Sequence, residues 1–225
     1  MQFGFIFDMD GTMVDNMMVH HRAWQAKLAE EGLNFTLEEV IAHCHGRNDE
    51  ILIRVFEDRL SPEERRRISG EKEAQYRLIF KDRLKLVDGL MDFLQRAHEL
   101  QIPMAIGTAA LIENVDFVLD TLNIRHLFTA IVSEQDVTKG KPDPEVFHKA
   151  ATLMRIPVEN CLVFEDSPVG IRTARNAGMP AVIVTTTHRA EEFAGFDNVL
   201  QLIKDYTEVA PDRLLAQLGE RAVAE

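Results

Sequence analysis

Asp8 and Asp10 stand two residues apart in "FIFDMDGT", where the first apolar run of the chain ends. Residues two apart in a strand point to the same side, so the two carboxylates would repel each other. That cost calls for a bound cation, a shared proton or exposure to water. Other polar groups close or follow later apolar runs. Thr108 ends "PMAIGT", Lys141 lies in "KGKPDPEVF", and Glu165 and Asp166 end "CLVFED". Gathered at one sheet edge, three or four carboxylates beside one lysine make a hard-cation site, and Mg²⁺ is the usual occupant where the substrate carries phosphate. Such a metal would offset the repulsion between Asp8 and Asp10.

The elements that must position these groups are legible as a rhythm. Short apolar runs at 3–7, 103–108, 128–133, 161–166 and 180–185 alternate, after the first, with helix-period segments. That alternation predicts an α/β fold, a Rossmann-like parallel sheet with helices on both faces. Asp88, Asp143 (with Pro144 at the first helical position) and Ser167 read as N-caps, and Gly178 as a helix stop. About seventy residues after the first run hold no strand-like stretch. They read as helices, with a capping box at Thr36 and Glu39 and a start at Ser61, Pro62 and Glu64. The expected domains are therefore a core of residues 1–15 and 85–225 and an all-helical cap of residues 16–84. The cap leaves the core just after the acidic motif, so it is expected to act as a lid at the carboxyl ends of the strands, where open α/β sheets bind ligands. The tail at 211–225 reads as a surface helix that frays.

Composition narrows the function. The 225 residues carry a net charge of −12, with 46% hydrophobic and 28% charged residues, an ordinary globular balance. Phosphate backbones demand basic surface, so a nucleic-acid partner is not expected. An acidic protein with an anionic substrate needs a local positive site. Cys44 and Cys161 suggest no disulfide framework, and a reducing compartment is expected. With no signal-peptide pattern and no membrane-spanning run, the expected location is the cytoplasm, with no membrane partner.

The motif series Asp-x-Asp-Gly-Thr, then Thr108, then Lys141-Pro142, then the acidic pair resembles the haloacid dehalogenase (HAD) superfamily, from Phe3 to about Thr185. The helical insert is similar to the cap of its β-phosphoglucomutase and sugar-phosphatase subgroup. The resemblance implies Asp8 as the nucleophile that takes up the phosphoryl group and Asp10 as the general acid and base. It implies Mg²⁺ held by Asp8, the Asp10 carbonyl and Asp166, with Glu165 close by. Thr108, with Ala109 beside it, and Lys141 would bind the transferring phosphoryl oxygens. Gly11 would let the chain turn where the phosphate meets backbone N–H groups. In the cap, His20 and Trp24 share a helix face, and Arg47 could reach a substrate anion. The "HCH" run at 43–45 lacks a fourth ligand and is not read as a metal site.

Two outcomes share this chemistry. In a phosphatase, water attacks the aspartyl phosphate; in a β-phosphoglucomutase, a sugar hydroxyl does. A mutase must also grip a second phosphate. Here Thr108 is followed by Ala109, Ala110 and Leu111, with no hydroxyl and no cation. The expected function is therefore a Mg²⁺-dependent phosphatase of small sugar phosphates of the hexose class, acting as a monomer, with the mutase as the alternative. Inorganic pyrophosphate is a further candidate substrate. A non-enzymatic receiver-type phosphoacceptor fits poorly, since receivers are about half this length and lack the cap and the acidic pair.

Overall fold

The computed structural model describes residues 2–224. The chain divides into two compact units, Met1–Asp15 with Lys85–Glu225, and Asn16–Leu84. In the first unit, strands β1 (Gly4–Phe7), β2 (Met104–Gly107), β3 (Ala130–Val132), β4 (Cys161–Glu165), β5 (Ala181–Val184) and β6 (Val199–Ile203) form one sheet, ordered β3-β2-β1-β4-β5-β6. Each neighbouring pair is parallel. Strand order reverses at β1, which has β2 on one side and β4 on the other. Phe7 is level with Ile106 and with Phe164. Groups just past the ends of β1 and β4 therefore meet at the switch point, where parallel sheets open a crevice.

Strands β1, β2, β4 and β5 of the sheet are buried throughout, which is why they read as unbroken apolar runs. On one face Phe5, Phe7 and Phe164 pack with Phe93 and Tyr206, the Phe7 and Phe164 rings stacked at 4.5 Å. On the other, Ile6 and Val163 join a cluster with Phe147, Ile171 and Ile183. The covering helices are α5 (Leu90–Glu99), α6 (Ile112–Thr121), α7 (Glu145–Met154), α8 (Pro168–Asn176) and α9 (Pro211–Ala224).

Several local expectations are corrected. Helix α5 is preceded by Gly89 in a left-handed conformation, and Asp88 does not cap it; the Asp88 carboxylate instead meets Lys85. Helix α7 begins at Glu145, one residue later than expected, with Asp143 Oδ1 accepting from the Glu145 N–H. Strand β6 was not legible, because its burial is only partial and its apolar run is broken by Gln201. Helix α9 is not a loose surface helix: Leu214 and Leu218 are buried, and Asp212 pairs with Arg96 of α5. The reading of that helix to Glu225 reaches one residue beyond those described. Ser167 does cap α8, accepting from the Gly170 N–H, and Gly178 follows the helix with a positive φ.

The second unit is helical: α1 (Met17–Glu30), α2 (Leu37–His43), α3 (Asn48–Phe56) and α4 (Pro62–Phe80). Capping boxes at Thr36/Glu39 and Ser61/Glu64 start α2 and α4, each satisfying two end groups that a helix leaves unpaired. Trp24, Leu28, Val40, Ile51, Leu52 and Ile68 make its apolar core.

Candidate active site

Asp8 lies one residue past β1, and its N–H donates to the Phe164 carbonyl, locking it to β4. Glu165 ends β4 and Asp166 follows it. Lys141 comes in from the segment before α7 and places its ammonium between two carboxylates, 2.7 Å from Asp8 Oδ1 and 2.6 Å from Glu165 Oε1. The same ammonium lies 5.0 Å from the Phe147 ring centre. The other Glu165 oxygen accepts from the N–H groups of Asp166 and Ser167 and from the Ser167 hydroxyl. Asp8, Glu165 and Asp166 each offer a carboxylate oxygen, all within 4.8 Å of one another.

This cluster is electrostatically overfull. Burial pushes the Asp8 carboxyl up to about 7; Lys141 pulls it down, and Glu165 and Asp10 add to the rise. Burial, with the charges of Glu165 and Asp8, lifts Asp166 well above the carboxylate range. Burial works against the Lys141 charge, but the two facing carboxylates outweigh it and hold the ammonium above its ordinary range. Buried carboxylates crowded beyond what one ammonium neutralises suit a hard divalent cation with oxygen ligands.

The turn after Asp8 is built on Gly11, whose φ is +81°. A Cβ there would lie 2.1 Å from Asp166 Oδ2, so no side chain fits between the two acidic segments. The turn expected at Gly11 is present, and the Gly11 amide is used inside it. That N–H donates to the Val14 carbonyl, and the Thr12, Met13 and Val14 N–H groups all turn to the Met9 carbonyl, closing the loop on itself. Asp10 is half-buried and bridges to Val14. Thr108 is buried past the end of β2, its hydroxyl accepting from the Ala110 N–H, while Ala109 is exposed.

The residues singled out in the helical unit part company. Trp24 is 2% exposed and packs in that unit's apolar core, where an indole supplies a large apolar area. His20 stacks on Tyr76 at 3.8 Å, and its Nδ1 lies 2.9 Å from the Lys72 ammonium. Arg47 is half-buried at the start of α3. Cys44 and Cys161 are both free and buried.

Sequence reasoning missed several supports. The Tyr206 hydroxyl donates to the Thr12 carbonyl at 3.3 Å, the Thr12 hydroxyl to Asp166 at 3.4 Å, and the Thr186 hydroxyl to the Gly11 carbonyl. Thr187 also hydrogen-bonds the Asp166 carboxylate and pulls its pKa down. Thr12 belongs to the acidic motif itself, but its partner Asp166 lies far along the chain; Thr186, Thr187 and Tyr206 come from distant segments that no local pattern ties to the motif. In the helical unit the buried pair Lys72 and Glu73, with half-buried Asn48 beside it, was also missed. Lys72 is 2.8 Å from Glu73 Oε1, which also accepts from Asn48 at 2.8 Å. Charged residues in an otherwise polar helix such as α4 read as solvated until packing buries them.

Comparison with known proteins shows the family. The profile of the haloacid dehalogenase-like hydrolases matches residues 4–178. The fructose-1-phosphate phosphatase YqaB of Escherichia coli is 33% identical over 181 residues, 80% of this chain and 95% of that protein. The validoxylamine A 7'-phosphate phosphatase of Streptomyces hygroscopicus is 29% identical over 204 residues, 91% of this chain and 94% of that one. The β-phosphoglucomutase of Clostridium difficile superposes with a TM-score of 0.86 at 23% identity, covering 99% of this chain and 100% of that chain, a likeness of fold. Among the described residues, no helix is long and apolar enough to cross a membrane. The chain belongs to the haloacid dehalogenase-like hydrolase family and is an HAD-like phosphatase.

Proposed function

We propose that this enzyme is a Mg²⁺-dependent phosphatase of small sugar phosphates, of the hexose phosphate class, acting through a phosphorylated Asp8. The carrying observation is the Lys141 ammonium set between Asp8 and Glu165 at the sheet's switch point. A buried carboxylate one hydrogen bond from a fixed cation can attack phosphorus, because the cation neutralises charge on the phosphoryl oxygens. The substrate class is supported by relatives named for fructose 1-phosphate and hexitol phosphates.

In the first step the Asp8 carboxylate forms a bond to phosphorus, the bond from phosphorus to the sugar oxygen breaks, and Asp10 gives that oxygen its proton. In the second, Asp10 takes a proton from water as the water oxygen bonds to phosphorus, and the Asp8–phosphorus bond breaks. Free phosphate leaves and both carboxyl groups return to their starting states. Lys141 binds the phosphoryl oxygens and keeps Asp8 aimed; Thr108 follows β2, the strand next to β1, and would bind the same oxygens. Asp8, Asp166 and the Asp10 carbonyl would hold Mg²⁺, with Glu165 behind them as the anchor of Lys141. The metal, when bound, supplies positive charge that offsets the crowded carboxylates and the transferring phosphoryl group.

Water rather than a second sugar is the acceptor in this reading, since residues 109–111 are Ala-Ala-Leu and offer a distal phosphate no cation or hydroxyl. The test is incubation with Mg²⁺ and a panel of hexose phosphates, measuring free phosphate and isomerised sugar phosphate separately. Release of phosphate from monophosphates, with little gain from glucose 1,6-bisphosphate, is expected. Interconversion of β-glucose 1-phosphate and glucose 6-phosphate faster than phosphate release would overturn the reading in favour of a mutase.

A further inference from the structure

Gly170 sits in the first turn of α8, the third helical residue after the Ser167 cap, where glycine is a poorer helix former than alanine by up to about 1 kcal/mol. Its φ is unexceptional, so backbone conformation does not require it; glycines of this chain at positive φ are Gly11, Gly32, Gly46, Gly89 and Gly178. Space does require it. A Cβ on Gly170 would lie 1.7 Å from the Glu165 carboxyl carbon and 1.8 and 2.1 Å from its two oxygens. The Glu165 carboxylate therefore occupies the volume that a side chain at position 170 would fill. It is buried there, with one oxygen on the Asp166 and Ser167 N–H groups and the Ser167 hydroxyl, and the other on Lys141. Ser167 Oγ in turn accepts from the Gly170 N–H, so one turn of backbone fixes both the carboxylate and its donor.

We propose that Gly170 is a positioning residue: the missing side chain leaves the seat for Glu165, and Glu165 so seated holds Lys141 against Asp8. A methyl at position 170 cannot coexist with the carboxylate where it stands. The carboxylate must move, and the ammonium loses one of its two anchors. Gly170 acts on neither Lys141 nor Asp8 directly; its effect passes wholly through Glu165.

That dependence gives a test in full-length protein with Gly170→Ala, Glu165→Ala and the double variant, reading both thermal unfolding in EDTA and turnover of p-nitrophenyl phosphate. Gly170→Ala alone is expected to lower the melting temperature. It should lower kcat by about tenfold or more, with KM moving less than kcat, as for a lost transition-state contact. In the Glu165→Ala background the clash is gone, so the same change should raise the melting temperature, as alanine does in a helix, and alter kcat by no more than about twofold. Glu165→Asp, which withdraws the carboxylate by one methylene, repeats the comparison with the charge kept. If Gly170→Ala fails to fold while the double variant folds, the inference stands; if the double variant also fails, it falls. Equal losses from Gly170→Ala in both backgrounds, or no loss in the wild type, would likewise overturn it. The unfolding arm needs no substrate, so its outcome does not depend on the substrate class.

Discussion

Replacing Lys141 by Met removes a buried cation while keeping most of its apolar volume, and the structure sets the size of the result. Its ammonium makes two charge-assisted contacts, at 2.7 and 2.6 Å, to Asp8 and Glu165. In the proposed reaction it also faces the phosphoryl oxygens, where deletion of one such donor costs roughly 10²–10³ in kcat, or about 3–4 kcal/mol. A second effect falls on the nucleophile. Without Lys141, the factor that most lowers the Asp8 pKa is gone, so the carboxyl titrates above the value of about 7 that it has in the wild type. The linkage has a definite sign. A carboxyl whose folded pKa is raised contributes stability that is fully present below its unfolded value, 3.8, and is lost as pH rises through the folded value. Metal-free wild type should therefore lose this contribution up to about pH 7 and then level off. Lys141→Met should go on losing stability above about pH 7, at up to roughly 1.4 kcal/mol per pH unit. The assays are phosphate release from fructose 1-phosphate under saturating conditions and urea unfolding in EDTA at several pH values. A variant that kept more than about a tenth of wild-type kcat would refute the role of Lys141 in transfer. A stability gap to wild type that did not change across neutral pH would refute its hold on Asp8.

Asp8→Asn should abolish turnover with the fold intact, checked by circular dichroism and by the loss of any acid-stable label from a phosphorylated enzyme. Asp10→Asn should lower kcat by roughly 10²–10⁴, the usual worth of positioned proton transfer; because its carbonyl remains, Mg²⁺ affinity measured by calorimetry should fall less than in Asp166→Ala. Thr187→Val, which removes a hydrogen bond to Asp166, should weaken Mg²⁺ binding in the same calorimetric assay, and Thr187→Ser should restore it. In the helical unit, burial alone would raise the Glu73 pKa, but Lys72, His20 and the hydrogen bonds from Lys72 and Asn48 bring it to about 2. Glu73→Gln leaves Lys72 buried without its counter-charge and should cost roughly 3–5 kcal/mol by urea unfolding at about pH 7. Since a depressed carboxylate contributes above its unfolded value of 4.5 and loses that contribution as pH falls through about 2, the gap should narrow in acid.

The sequence by itself determined the parallel α/β core, the helical insert and the identity of the acidic cluster. The reason is local. Buried parallel strands must be unbroken apolar runs, and groups that end them must collect at one edge, so "FIFDMDGT" and "CLVFED" announce Asp8, Glu165 and Asp166 before any folding is known. Caps at Thr36, Ser61 and Ser167 were equally legible, because a helix end is satisfied by residues three positions away. Only the tertiary structure decided what joins segments far apart in the chain. It put the Lys141 ammonium on Glu165 as well as Asp8, sent Thr12, Thr186 and Thr187 to brace the acidic loops, and turned the Gly11 amide inward to Val14. It made Trp24 a core residue and buried Lys72 beside Glu73 on a helix whose composition reads as solvated. It also gave Gly170 a reason, since a glycine in a helix has no local justification and the carboxylate that needs its space is fixed only when β4 and α8 are packed.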